Sequence, residues 1–160
     1  MTEKKQHVQV YARASAPPSA VWRWLADASS WSTWTNLTTA ELEREGDVER
    51  DGVGAIRRLG VGPGVSREQI VVYDPPNHLA YTLLSGMPVE GYRADVHLRP
   101  DGDGTLIEWR SSFTPRWPGT GALIRVFFTR VLSGFARGLA RHASASQRED
   151  DGTTANGPRE

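Results

Sequence analysis

The stretch YRADVHLRPDGDGTLIEWRSSF, residues 92–113, decides the fold. Two runs of alternating apolar and polar residues flank Pro100-Asp101-Gly102-Asp103-Gly104, the signature of two half-buried strands joined by a tight turn. In a hairpin, directly opposed residues share one face of the sheet. Centring the turn near Asp101 pairs Val96 with Ile107, Ala94 with Trp109 and Tyr92 with Ser111, all on the apolar side. Arg93, Asp95, His97, Glu108 and Arg110 then fall on the opposite face.

The pattern propagates toward the N-terminus. The turn at Ser85–Val89 pairs Leu83 with Tyr92, Tyr81 with Ala94 and Leu79 with Val96. The turn at Asp74–Asn77 pairs Val72 with Leu79, Ile70 with Tyr81 and Glu68 with Leu83. Extending across Gly60-Val61-Gly62-Pro63-Gly64 sets Glu68 opposite Arg57 and Ile70 opposite Ala55. The inner face thus carries one row of Arg57, Glu68, Leu83, Tyr92 and Ser111, and beside it Ala55, Ile70, Tyr81, Ala94 and Trp109. Two opposite charges stand where apolar groups are expected. Unpaired buried charges cost several kcal/mol, so Arg57 and Glu68 must pair with each other, hold water or meet a ligand. A bulge in any strand would flip everything beyond it.

The remaining elements fit around this meander. His7–Arg13 alternates as a first strand. Pro17 and Pro18 suit a helix start, and Val21, Trp22, Trp24 and Leu25 recur at helical spacing to about Asp27. Ser29–Asn36, with Trp31 and Trp34, reads as a second short helix or turn that packs its indoles on the domain. Six further strands follow: Thr39–Arg44, Gly54–Leu59, Ser66–Tyr73, Leu79–Leu84, Tyr92–Leu98 and Leu106–Phe113. Their short connections require an antiparallel sheet. From Pro118–Gly121 to about Ala143, Ile124, Phe128, Val131, Leu132, Phe135 and Leu139 line one side of a long helix. Arg130, Arg137 and Arg141 gather on its other side, as a solvated surface or as a contact for a partner or acidic lipid. The expected architecture is α+β: a curved seven-stranded antiparallel sheet wrapped around the long C-terminal helix, with two short helices after strand one. Residues 7–143 form the domain, 1–6 a flexible N-terminus, and the polar stretch 144–160 a disordered tail.

The chain of 160 residues is long enough for one core and not for two. Nineteen basic residues balance nineteen acidic ones, so no global field draws it to nucleic acid. No cysteine is present, which excludes disulfides, thiolate nucleophiles and cysteine-ligated metals. No apolar leader and no run of roughly 18 apolar residues is found, so no transmembrane segment is expected and the setting is read as cytoplasmic. His7, His78, His97 and His142 lie far apart in sequence without metal-ligand spacing, so no metal is expected. His142 reads as a capping or partly buried residue. No nucleophile elbow or phosphate-binding loop occurs, and the glycines read as turns.

The motifs Ala16-Pro17-Pro18-Ser19-Ala20-Val21-Trp22 with Asp27 and Trp31, Gly52-Val53-Gly54-Ala55-Ile56-Arg57, Glu68-Gln69-Ile70, Asp74-Pro75-Pro76, Leu79-Ala80-Tyr81 and Gly104-Thr105-Leu106-Ile107-Glu108-Trp109 carry a family likeness. Over residues 7–143 the chain resembles the START-like SRPBCC superfamily, the helix-grip proteins that include the birch pollen allergen, and in particular its bacterial polyketide cyclase/dehydrase-like branch. The resemblance implies a mostly apolar cavity between sheet and helix for a lipid, polyketide or similar hydrophobic molecule, needing no cofactor. It does not imply one activity.

Three functions follow as expectations. The first is binding of a small hydrophobic ligand, with Arg57, Glu68, Ile70, Tyr81, Leu83, Tyr92, Ala94, Trp109, Ser111, Phe128, Leu132 and Phe135 around it, by a monomer or dimer. The second is a polyketide cyclase or dehydratase, in which Arg57 steadies an enolate oxygen, Glu68 acts as base, and Tyr81 or Tyr92 donates a proton. The third is a cochaperone-like protein-interaction domain.

Overall fold

The computed structural model describes residues 3–155. Strand β1 (Gln6–Ala14) leads through Pro17 into α1 (Pro18–Ala26), a short 3-10 turn (Ala28–Ser30) and α2 (Trp31–Trp34). Asp27 caps this turn by accepting the Ser29 N–H at 2.9 Å. Six strands follow: β2 (Thr39–Arg44), β3 (Ile56–Val61), β4 (Gly64–Asp74), β5 (His78–Ser85), β6 (Val89–Asp101) and β7 (Gly104–Pro115); the helix α3 (Gly121–Ala155) closes the chain. The sheet is antiparallel throughout in the order β1-β7-β6-β5-β4-β3-β2, the helix-grip arrangement.

The inner face agrees with the alternation except at Val72, whose place Tyr73 takes, and three pairings move. The β6–β7 turn centres on Gly102-Asp103, so Val96 faces Trp109, Ala94 faces Ser111 and Leu98 faces Ile107. The expected partners are displaced by two residues, an even step that keeps every side chain on its face. Gly102 at φ 62° supplies the left-handed conformation that fixes this later turn. In β4 a bulge between Ile70 and Val72 sets Tyr73, not Val72, opposite Leu79; Tyr73 then meets the Trp22 ring edge-on at 5.2 Å. The β5–β6 ladder stops at Thr82 opposite Arg93, so Leu83 and Tyr92 are not paired. The pairs Arg57 with Glu68, Ile70 with Tyr81, and Tyr81 with Ala94 form as expected. Ala55 lies opposite Ile70 through a 2.9 Å Ile70 N–H bond to its carbonyl.

Secondary structure runs past both ends of the expected domain. Gln6 already belongs to β1, and Glu3 Oε1 accepts the Gly119 N–H at 3.3 Å. The helix does not stop near Ala143, and the stretch expected to be a disordered tail is helical as far as Ala155. Its polar residues have partners that composition hides. Ser144 Oγ accepts the Ser15 N–H at 2.8 Å, Arg23 donates to Ser146 Oγ at 2.8 Å, and Arg23 lies 3.8 Å from Asp150. Residues 156–160 lie outside the described residues.

The core sits between the sheet and α3. The helix packs most extensively on β1 and also on β7 and α1, and the Phe128 ring lies tilted 5.0 Å from both Tyr92 and Phe113. Trp31, fully buried, bridges Trp109 at 5.7 Å and Phe135 at 5.4 Å, the packing role expected of that indole. Because α3 grips one side of the curved sheet, its approach to β3, β4 and β5 stays open.

Candidate functional site

That open side is a cleft of about 430 Å³. Its walls are Leu37, Leu59, Val61, Leu83, Met87, Phe128, Val131, Leu132 and Phe135, and its polar lining comes from Ser66, Glu68, Tyr81 and Tyr92, with Asn36 at the edge. A cleft of this size and mainly apolar character is the usual form of a small-molecule site.

Glu68 stands on β4 at the point where inner-face alternation forces a charge indoors. Arg57, on the neighbouring strand and fully buried, donates from Nη2 to Glu68 Oε2 at 2.9 Å. The guanidinium is sandwiched between aromatic faces, 4.5 Å from the Trp31 ring centre and 5.0 Å from that of Tyr81. Such contacts stabilise a desolvated cation by about 2 kcal/mol each. They matter here because Arg57 Nε and Nη1 find no acceptor among the described residues. Burial raises the Glu68 carboxyl above its ordinary value, outweighing the opposing pull of Arg57. Glu68 therefore keeps its proton to a higher pH than a surface glutamate does.

Two phenols complete the inner end. Trp109 Nε1 donates to Tyr81 Oη at 3.2 Å, and the Tyr81 and Tyr92 rings lie 6.3 Å apart. Burial pushes both hydroxyls above the ordinary tyrosine value, with the Glu68 charge adding to each. Both are thus neutral at physiological pH. They can donate a hydrogen bond to a carbonyl or hydroxyl.

A family model described as polyketide cyclase/dehydrase and lipid transport matches residues 5–144. The chain belongs to that family. The polyketide cyclase/dehydrase and lipid transport family falls within the START-like SRPBCC grouping that the motifs resemble, and solved structures agree in fold. A START superfamily protein from Mycobacterium smegmatis superposes with a TM-score of 0.75 at 15% identity, over 87% of this chain and 97% of the other. Norcoclaurine synthase from Thalictrum flavum, solved as a point mutant with a transition-state analogue, superposes with a TM-score of 0.71 at 16% identity, over 92% and 99%. No curated protein matches by sequence.

Within this family member, Glu68, Tyr81, Leu83, Tyr92, Phe128, Leu132 and Phe135 line the cleft, all of them expected there. Arg57, Ile70, Ala94, Trp109 and Ser111 do not. Trp31 and Phe135 cover Trp109, and Ile70 and Ala94 are fully packed in the core, so the second row is filled except at Tyr81, which reaches the cleft. Arg57 acts on the cleft through Glu68, which it holds at 2.9 Å, and through the Tyr81 ring. The lining residues that the sequence reading missed are chiefly Leu59, Ser66, Met87 and Phe127. Leu59 pairs with Ser66 two positions beyond Arg57 and Glu68, so carrying the inner-face parity one step further reaches them.

The histidines also need correction. His78 and His97 are far apart in sequence, yet the β5–β6 register sets them opposite each other with rings stacked at 4.1 Å. Their ligating atoms and those of Asp95 lie within 4.8 Å of one another on the outer face. The Asp95 carboxylate is already held by Arg93 in a two-bond fork at 3.0 Å and by His78 Nε2 at 2.8 Å. Next to them, Arg110 and Arg99 lie 2.7 and 4.0 Å from Glu108. This concentration of arginines opposes a dication there. Of the two readings of His142, the partly buried one holds: the helix runs on past it, so it caps nothing, and its half-buried ring meets Trp24 edge-on at 4.3 Å.

Proposed function

We propose that the protein binds a compact, mainly apolar molecule in the cleft between β3–β6 and α3, with the ligand's one polar end held by Glu68, Tyr81 and Tyr92. The observation that carries this reading is a cleft of about 430 Å³ with hydrocarbon walls and a single carboxyl, Glu68, in a lining that also holds the phenols Tyr81 and Tyr92. Apolar walls supply affinity by excluding water, and the few convergent polar groups set orientation. A ligand that donates a proton or hydrogen bond suits the Glu68 carboxyl; one that accepts suits the phenols.

A neutral fluorescent hydrophobe such as Nile red tests this. Leu83→Trp fills the cleft from a partly buried position and is expected to weaken probe binding at least tenfold with the fold intact. Tyr92→Phe is expected to weaken a ligand that uses the phenol about fivefold, the worth of one hydrogen bond near 1 kcal/mol. Probe affinity unchanged in Leu83→Trp would remove the cleft from the proposal.

A second reading has its own observation in its favour. A cleft-lining carboxyl raised by burial, with two neutral phenols beside it, is the equipment of general acid–base chemistry at an enolisable carbonyl. Glu68 would take the proton, and Tyr81 or Tyr92 would donate to the developing oxyanion. The test is Glu68→Gln, which retains ligand binding and loses turnover if this reading holds.

A further inference from the structure

The arginines of this molecule divide into two populations. Those on the sheet, its loops and α1 are matched: Arg13, Arg23, Arg44, Arg50, Arg57, Arg58, Arg67, Arg93, Arg99 and Arg110 each have a carboxylate within 4.0 Å. The arginines without one, among the described residues, are Arg116, Arg125, Arg130, Arg137, Arg141 and Arg148. All six come from α3 or the segment leading into it. Between Arg116 and Arg148 the sequence contains no aspartate or glutamate, although the chain as a whole is neutral. The positive charge is therefore concentrated and unneutralised over residues 116–148, the acidic Glu149, Asp150 and Asp151 following only in the last turns of the helix.

Large apolar side chains stand on the same helix where it meets solvent. Leu123 is 74% exposed, Val126 and Phe127 are each 48% exposed, and Trp117 just before the helix is 59% exposed. Positions 123, 126, 127 and 130 share one helical face by spacing, so the apolar residues run directly into Arg130. Phe127 also lines the cleft, as does Val61 at the β3–β4 turn, itself 53% exposed. The apolar surface is thus continuous with the mouth of the cleft.

We propose that this face of α3 docks on an anionic phospholipid bilayer, with Leu123, Val126 and Phe127 entering the headgroup boundary and Arg130 and Arg137 on the lipid phosphates. A helix with exposed apolar residues interleaved with unpaired arginines is the form that lies in a membrane interface rather than crossing it. No helix among the described residues is long and apolar enough to span a bilayer. Charge selects the occupant: an uncharged apolar partner would leave the arginines unmatched, whereas a lipid surface with negative headgroups satisfies both features together. Docking in this orientation opens the cleft toward the hydrocarbon, so an apolar ligand need not cross water. The bilayer contact stands whether or not the cleft is filled.

The experiment is co-sedimentation of the full chain, without added ligand, with vesicles of phosphatidylcholine alone and with vesicles of equal parts phosphatidylcholine and phosphatidylglycerol. Binding is expected only to the mixed vesicles and is released by raised salt. Arg130→Gln with Arg137→Gln is expected to weaken it roughly thirty-fold, at about 1 kcal/mol per arginine. Leu123→Glu is expected to weaken it as well, while both variants keep the circular dichroism and Nile red affinity of the parent. No binding to either vesicle, equal binding to both, or mixed-vesicle binding unaltered by these substitutions would overturn the proposal. Capture of the arginines by soluble polyglutamate in the absence of vesicle binding would likewise overturn it, reassigning the face to an acidic protein.

Discussion

Replacing Arg57 by methionine removes a fully buried cation and leaves its partner Glu68 in the cleft. The apolar stem is kept, so the change is chiefly electrostatic. Two pH-independent effects oppose each other. The contacts over Trp31 and Tyr81 are lost, while two buried N–H groups without acceptors disappear, each costing about 1–3 kcal/mol where it stands. What remains is the carboxylate. Without Arg57, nothing opposes the burial that already raises Glu68 above 4.5, so its folded value climbs further. A group raised on folding binds its proton more tightly in the native than in the unfolded state. Stability therefore falls as pH rises from 4.5 through the folded value. Neutralisation sets the ceiling: holding Glu68 protonated against the unfolded chain costs at most about 3.4 kcal/mol at pH 7 and under about 1 kcal/mol at pH 5. Urea denaturation of Arg57→Met should therefore show a penalty larger at pH 7 than at pH 5 by up to about 2.5 kcal/mol. Arg57→Met with Glu68→Gln should abolish this difference and be more stable at pH 7 than the single variant. A penalty independent of pH, or a double variant no better than the single one at pH 7, would refute the reasoning.

Three further predictions concern the frame around the site. A Cβ on Gly138 would collide with the Trp34 carbonyl oxygen, so Gly138→Ala should destabilise by about 1–3 kcal/mol, whereas Gly134→Ala, with open space around it, should stabilise by up to about 1 kcal/mol; thermal melts of the pair decide. His97 is held below its ordinary value by burial first and by His78 next, so the unfolded chain takes up the extra proton and stability is lost as pH falls below 6.5. His97→Gln should flatten that limb of the urea midpoint against pH, and an unchanged limb would exclude His97 as its source. Arg23→Ala should loosen the end of α3 that it pins through Ser146 and Asp150, read as faster amide exchange there with Phe128 and Leu132 still protected.

What the sequence made legible follows from period and parity. Alternation over residues 92–113 is undisturbed, and an error of two residues in its register left every face correct, so Glu68, Tyr81, Leu83 and Tyr92 were found from spacing alone. The same reasoning could not tell a hollow row from a filled one. Whether Trp109, Ile70 and Ala94 line space or core depends on where Trp31 puts its ring, a contact between residues distant in sequence. The end of α3 was hidden for a related reason. Ser144, Ser146 and Asp150 look like a solvated tail until Ser15 and Arg23 arrive from the other end of the chain. The His78–His97 stack likewise follows from cross-strand register rather than from sequence spacing.

The central claim, that the cleft holds a small apolar molecule with a polar end, is tested most directly by native mass spectrometry of the purified protein. Organic extraction and identification of whatever is released complete the measurement. The account predicts a discrete adduct, removed by extraction, absent from Leu83→Trp and restored to the parent protein by the extracted molecule. A clean mass of the bare chain that stays unchanged on addition of hydrophobic ligand libraries, or an adduct retained in full by Leu83→Trp, would contradict it.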